Sequence, residues 1–252
     1  MADRRVTWLG QAGFRLDVEG GAFVVDPWVS PHENRLIPPP PLDLAADGVT
    51  ALLVTHEHLD HLDLDFLPTF VERSPTATVV LPEALVELVE GVVPKSQIVA
   101  VNPHDVVDVA GIEIDVVPAI HGVTMDDAYG DGSSLGGGPR FVGYAFRGRP
   151  CIYVAGDTIV TDEVASSLSR LEIEVAMLPI NGRDPEREAH DIVGNMDAGE
   201  AVELALATGA TRLIPYHWDG YAGNTVAPGT VVDAAAARIE VVVPARFGAV
   251  TL

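Results

Sequence analysis

Lysine occurs once in the chain, at Lys95, and cysteine once, at Cys151. A single cysteine excludes an internal disulfide and any thiolate-rich metal site. Cys151 lies in the strand-like run Pro150–Ala155, where a small buried core residue is expected. With so little lysine, 14 arginines carry nearly all the positive charge against 37 carboxylates, for a net charge of −22. There is no basic run, so the surface that displaces counterions from a phosphate backbone is missing, and a nucleic-acid partner is excluded. The acidity fits a salt-rich cytoplasm and equally a plain route to solubility. No apolar run is long enough to span a bilayer, which argues against a membrane partner. The opening Met1–Arg5 leads into a strand-like segment and not into a signal-peptide core, so a cytoplasmic location is expected. Homo-oligomerisation is left open.

Hydrophobic residues make up 48% of the chain, enough for a substantial core. Short β-patterned runs at Val6–Leu9, Phe14–Val18 and Ala22–Val25, separated by Gly10 and Gly20-Gly21, predict an antiparallel meander. Ala51–Thr55 is a continuous apolar run of the kind buried on both faces. Helices are expected from about Asp63 to before Pro75, over Pro82–Glu90, Asp162–Leu171 and Val231–Arg238, and from an N-cap at Asp197 to Ala207 before Gly209. Further strands are expected at Thr78–Leu81, Ile98–Val101, Val106–Val109, Ile112–Val117, Ile173–Leu178, Arg212–Pro215, Glu240–Val243 and Ala249–Leu252. Phe141–Phe146 and Cys151–Ala155 read as a pair turning at Arg147-Gly148-Arg149. Strands and helices mix throughout without a linker, which predicts one domain over residues 1–252. Two stretches break the pattern, the proline-rich Asn34–Pro41 and the glycine-rich Thr124–Pro139. Each is either an ordinary surface loop or the wall of a pocket.

The strongest chemical signal is Thr55-His56-Glu57-His58-Leu59-Asp60-His61, directly after the buried apolar run. Imidazole and carboxylate are the ligands that zinc, manganese and iron accept. On an extended backbone His56 and His58 point the same way, and as the chain turns Asp60 and His61 can face a second, adjacent position. One tight turn thus supplies ligands to two neighbouring metals.

This loop resembles the signature of the metallo-β-lactamase superfamily, which implies a four-layer αββα sandwich of the α/β class with metals at one edge. Elements similar to that family's remaining motifs follow in order. Asp26 ends the strand in Phe23–Trp28, His121 follows Ile112–Val117, Asp157 stands in Tyr153–Thr158, and His217 in Ile214–Asp219. Trp8–Phe14, Asp26–Trp28, Leu178–Asp184, Gly194–Met196 and Pro215–Asp219 are similar, more specifically, to the branch containing L-ascorbate-6-phosphate lactonases. The resemblance implies two divalent ions, Zn2+ or Mn2+ with Fe as a further choice. His56, His58 and His121 would hold one, Asp60, His61 and His217 the other, with Asp157 bridging. Asp26 would support a ligating histidine from behind.

The chemistry implied is hydrolysis of a lactone or ester of a small, anionic, sugar-phosphate-like substrate. The pair of cations acidifies water, and Asp60 and Asp157 serve the reaction as well as the metals. Arg183 is a candidate grip for a substrate anion, its planar fork suiting phosphate or carboxylate, and is equally a salt-bridge partner for Asp184 or Glu186. Asn181 and Asn195 are candidate substrate hydrogen-bond partners, and His190 a candidate proton donor to a leaving group. Competing readings are a phosphodiesterase on a small nucleotide, a thioester hydrolase, and a non-hydrolytic metal-binding or di-iron redox module. Against the redox module, redox members of the superfamily usually carry an acidic residue where this chain has His58.

Overall fold

The computed structural model describes residues 4–121, 137–183, 185, 189–190 and 193–252. Two seven-stranded sheets stack face to face. The first is built from β1 (Arg5–Gly10), β2 (Gly13–Val18), β3 (Gly21–Val25), β4 (Val49–Leu53), β5 (Thr78–Pro82) and β6 (Ile98–Val101), in that order. The C-terminal β14 (Ala249–Thr251) pairs with β1 at its edge. The second contains β7 (Val106–Val109), β8 (Ile112–Pro118), β9 (Val142–Phe146), β10 (Ile152–Val154), β11 (Val175–Pro179), β12 (Arg212–Tyr216) and β13 (Glu240–Val241), also in sequential order.

Each sheet opens as an antiparallel meander and continues as parallel strands: β1–β3 then β3–β6, and β7–β10 then β10–β13. Parallel neighbours need a crossover, and helices supply most of it. Helices α1 (Leu42–Ala46), α2 (Leu67–Arg73) and α3 (Val86–Val89) connect the parallel strands of the first sheet. Helices α4 (Asp162–Leu168), α5 (Ala198–Ala207) and α6 (Gly229–Ala235) do so in the second. The two halves share this plan although no repeat is visible in the sequence.

Three apolar layers hold the four structural layers together. Between the sheets, Ala51 and Leu53 of β4 meet Phe14, Tyr144, Phe146 and Met177. On the alternate positions, Leu52 of β4 and Val54 just past it pack with Phe66, Phe70 and Val89 on the outer side of the first sheet. Leu178, Val202, Leu204 and Val231 form the equivalent layer outside the second. The parallel strands are apolar at successive positions because both their faces are covered, and the expected αββα sandwich is the architecture observed. No helix among the described residues is long and apolar enough to cross a membrane.

Several element boundaries differ from expectation. Pro82 is extended, with ψ 137°, and closes β5 opposite Val101; only then do a 3-10 turn (Glu83–Leu85) and α3 follow. The helix expected near Asp63 begins at Leu67. Asp63 spends its carboxylate on the backbone N–H groups of Val29, Ser30 and Phe66 and on the Ser30 hydroxyl, so it anchors a turn ahead of the helix. Helix α6 ends at Ala235 because Ala236 turns left-handed, with φ 46°. Asp197 caps α5 in a full capping box with Glu200. The Asn34–Pro41 segment is braced by Arg35, whose guanidinium donates to the carbonyls of Trp28, Ile37 and Pro38. Of Thr124–Pro139, residues 124–136 lie outside the described residues, as do Asp184 and Glu186.

Cys151 is buried against the outer layer of the second sheet, and burial pushes its thiol up to about 11. It is therefore expected to resist alkylation at pH 8 until the chain unfolds. Mass spectrometry before and after denaturation checks this, and stoichiometric native labelling would contradict it.

Candidate metal centre

The parallel strands end at one rim, and the chemistry collects there. Asp26 follows β3, the His56–His61 loop follows β4, His121 follows β8, Asp157 follows β10, Asn181 follows β11 and His217 follows β12. Carboxyl ends of strands in open α/β sheets are the usual place for ligand sites, because the chain must turn there and its side chains face outward. Three of the turning residues, Gln11, Asp26 and His217, take left-handed φ values of 49°, 45° and 61°. Non-glycine residues in that region cost of order 1–3 kcal/mol each, and such strain clusters at functional sites.

Two sets of ligand atoms emerge: His56, His58, His121 and Asp157 in one, Asp60, His61 and His217 in the other. Within the first, His56 Nε2 and His58 Nδ1 are 3.1 Å apart, and His121 Nε2 is 3.5 Å from Asp157 Oδ2. Within the second, His61 Nε2 and His217 Nε2 are 3.4 Å apart, and His217 Nε2 is 3.4 Å from Asp60 Oδ2. Asp157 joins the sets, its oxygens lying 3.4 Å from His61 Nε2 and 3.3 Å from His217 Nε2. The structure thus brings together all seven residues that the resemblance implied as ligands.

The electrostatics of the two sets differ. Burial, then the neighbouring imidazoles, lowers His56 well below its ordinary value. Burial likewise lowers His58, and it takes His121 down to about 4. These rings are held in the neutral form that ligates metal. Burial also opposes charge on His61 and His217, but Asp157 and its fellow carboxylates outweigh it, raising His61 well above its usual range and His217 to about 9. Reciprocally, those imidazoles outweigh burial at Asp157 and Asp60 and hold both carboxyls below the ordinary range.

The ligands are themselves held. Asp26 accepts the Thr55 N–H at 2.8 Å and the Thr55 hydroxyl at 2.6 Å, and its Oδ2 lies 2.7 Å from His61 Nδ1. That is the supporting place expected for Asp26. His121 Nδ1 lies 2.6 Å from the Gly194 carbonyl, which fixes the proton there and turns Nε2 towards Asp157. Glu57, the fifth polar residue of the loop, pairs instead with Arg140 at 2.6 Å.

A cavity of about 530 Å³ opens onto both sets. Its polar wall includes Asn181, Asn195 and Asn224, with Tyr221 beside them. Asn195 Nδ2 donates to Asn181 Oδ1 at 3.1 Å, and Asn181 Nδ2 to Asn224 Oδ1 at 2.6 Å. Gly182 lets this wall form, since a Cβ there would fall 1.5 Å from the Asn195 carbonyl oxygen. Arg183 is not part of the lining. Its guanidinium forms a fork with Glu200, at 2.8–3.2 Å, in the capping box of α5. Arg183→Ala is accordingly expected to leave KM within about twofold and to cost under about 1 kcal/mol, as for other half-exposed pairs. A tenfold rise in KM would restore it to the substrate. His190 is exposed, and His104 faces Glu163 at 3.5 Å on the surface. His32 stacks on Tyr221, with ring centroids 5.9 Å apart.

Sequence reasoning missed Gln11, Thr55 and Asn224 as parts of the site. Amide and hydroxyl residues carry no distinctive spacing, and their roles depend on loops that meet only in the fold. The one usable signal was Gln11 itself, a polar side chain at the tight turn between β1 and β2.

The donor set is nitrogen and oxygen only, with five imidazoles and two carboxylates, which is the coordination chemistry of zinc, manganese or iron. Asp157 Oδ1 is buried and makes no hydrogen bond, lying 3.4 Å from His61 Nε2, and a cation between them would satisfy it. The residues therefore fit metal. Residues 22–218 match the family model described as the beta-lactamase superfamily domain. A metal-dependent hydrolase of Methanopyrus kandleri is 31% identical over 215 residues, covering 85% of this chain and 84% of that one. A Shigella boydii protein named probable L-ascorbate-6-phosphate lactonase is 28% identical over 256 residues, covering 88% and 71%. Igni18, a solved metallo hydrolase from Ignicoccus hospitalis, shares the fold with a TM-score of 0.77 at 20% identity, over 100% of this chain and 99% of its own. By sequence, fold and ligand geometry together, the chain belongs to the metallo-β-lactamase superfamily and is one of its metal-dependent hydrolases.

Proposed function

We propose that this chain hydrolyses the carbonyl–oxygen bond of a small lactone or ester at a binuclear metal centre. The observation that carries the reading is the pair of ligand sets meeting at Asp157, whose Oδ1 is buried without a hydrogen-bond partner. His56, His58 and His121 would hold one cation, Asp60, His61 and His217 the other, and Asp157 would touch both. Divalent cations there supply Lewis acidity, lowering the pKa of water towards neutrality and polarising a carbonyl oxygen. The protein's own part is to keep His56, His58 and His121 neutral, to orient His61 through Asp26, and to offer amide groups along one wall. Asn181, Asn195 and Asn224 place donors and acceptors where hydroxyl or carbonyl groups of a substrate can bind them. Among the described residues that line the cavity there is no lysine or arginine, so an anionic substrate group would find its positive charge at the metal positions.

Kinship to a protein named as a lactonase supports the choice of bond. The test is a hydrolase panel on protein reconstituted with zinc or manganese, containing plain lactones, phosphorylated sugar lactones, aryl esters, phosphodiesters and thioesters. Turnover of lactones or esters that chelator abolishes is the expected result. Cleavage confined to phosphodiesters or thioesters would replace this reading.

A further inference from the structure

Gln11 is fully buried, and neither its charge nor its position in the turn between β1 and β2 calls for that. Its surroundings do. The backbone N–H of Gly220 donates to Gln11 Oε1 at 2.9 Å. An N–H can only donate, so this contact fixes which end of the amide is oxygen and turns Nε2 the other way. Nε2 then donates to Asp60 Oδ2 at 2.8 Å. It lies 3.2 and 3.3 Å from the two ring nitrogens of His217. Asp60 is its nearest acceptor.

The backbone of the same residue holds the other ligand. Gln11 O accepts the His217 N–H at 3.1 Å and the Trp8 indole N–H at 3.1 Å, while Gln11 N donates to Asp219 Oδ1 at 3.2 Å. Both Gln11 and His217 are in the left-handed region, and this backbone hydrogen bond ties the two turns together. The neighbouring glycine keeps the space open: a Cβ at Gly220 would come within 2.3 Å of Gln11 Oε1.

We propose that Gln11 is the positioning residue of the second metal position, fixing Asp60 through its side chain and His217 through its backbone. It joins a ligand loop of the first sheet to a ligand strand end of the second. Its side chain hydrogen-bonds to Asp60, His217 and Gly220, which places its influence at one of the two sets. The inference rests on the binuclear reading above.

The experiment is manganese titration of the full chain, with uptake measured by elemental analysis and the loaded protein examined by electron paramagnetic resonance. Wild type should take two equivalents and give the spectrum of an exchange-coupled pair. Gln11→Leu, which keeps bulk and removes the amide, should keep the tighter equivalent and weaken the other by ~10–100-fold, as loss of a supporting partner does. Its spectrum at one equivalent's excess should be that of isolated ions. Gly220→Ala, which leaves Gln11 in place but displaces its amide, should weaken the same equivalent and carries the test where Gln11→Leu fails to melt cooperatively. Equal weakening of both equivalents, or unchanged affinities with a coupled spectrum, would overturn the role of Gln11 while leaving two metals in place. Fewer than two equivalents in wild type would overturn the binuclear reading and the inference with it.

Discussion

Asp157→Ala is expected to lose most of its bound metal and essentially all turnover. Asp157 touches both ligand sets, lying 3.5 Å from His121 and within 3.4 Å of His61 and His217. Removing a supporting group behind a ligand costs ~10–100-fold in affinity or activity. Removing a carboxylate shared by two cations must cost more, because it withdraws negative charge from both. The loss also leaves His61 and His217 without the carboxylate that most strongly favours their charged forms, so both should titrate lower than in the native chain. Elemental analysis after gel filtration reads the metal, and the lactone assay reads the rate. A variant that retained two equivalents and native turnover would remove Asp157 from the centre.

Asp26→Ala should have the next largest effect, and mainly on stability. The carboxylate accepts two hydrogen bonds from Thr55 and faces His61, all buried. Leaving buried donors unpaired costs ~1–3 kcal/mol apiece, so a loss of about 3 kcal/mol is expected in a denaturant melt. Asp26→Asn separates packing from chemistry. It keeps the volume and its Oδ1 can still accept the Thr55 N–H, but an amide nitrogen takes the place of Oδ2, facing the Thr55 hydroxyl and His61 Nδ1. The ring proton would move to Nε2, the atom that faces Asp157 and His217, and block it as a ligand. The expected result is near-native stability with one metal equivalent weakened. Native metal binding in Asp26→Asn would mean that His61 does not ligate through Nε2.

The candidate ligand residues were legible in the sequence because each lies just past a strand, where a short apolar run ends and a histidine or aspartate follows. His56–His61 after β4 and Asp157 after β10 are the clearest cases. The αββα layering was legible through the same runs, since Val175–Leu178 and Ala51–Leu53 are apolar at every position, as doubly covered strands must be. What sequence could not supply was the meeting of distant loops. Arg183 follows Asn181-Gly182 in the chain, yet Glu200 of the α5 capping box captures its guanidinium. Asp63 looked like a helix start and is instead tied to Val29 and Ser30 across a turn. Gln11 gains its role only because the β1–β2 turn folds over the end of β12.

The central claim is that two cations sit side by side on these seven residues. A crystal of the protein grown with zinc and without chelator, with data collected on both sides of the zinc absorption edge, tests it most directly. Two anomalous peaks are predicted, one within coordinating reach of His56, His58 and His121, the other of Asp60, His61 and His217, with Asp157 touching both. No peak at these residues, or a single one that leaves one set of ligands bare, would contradict the account.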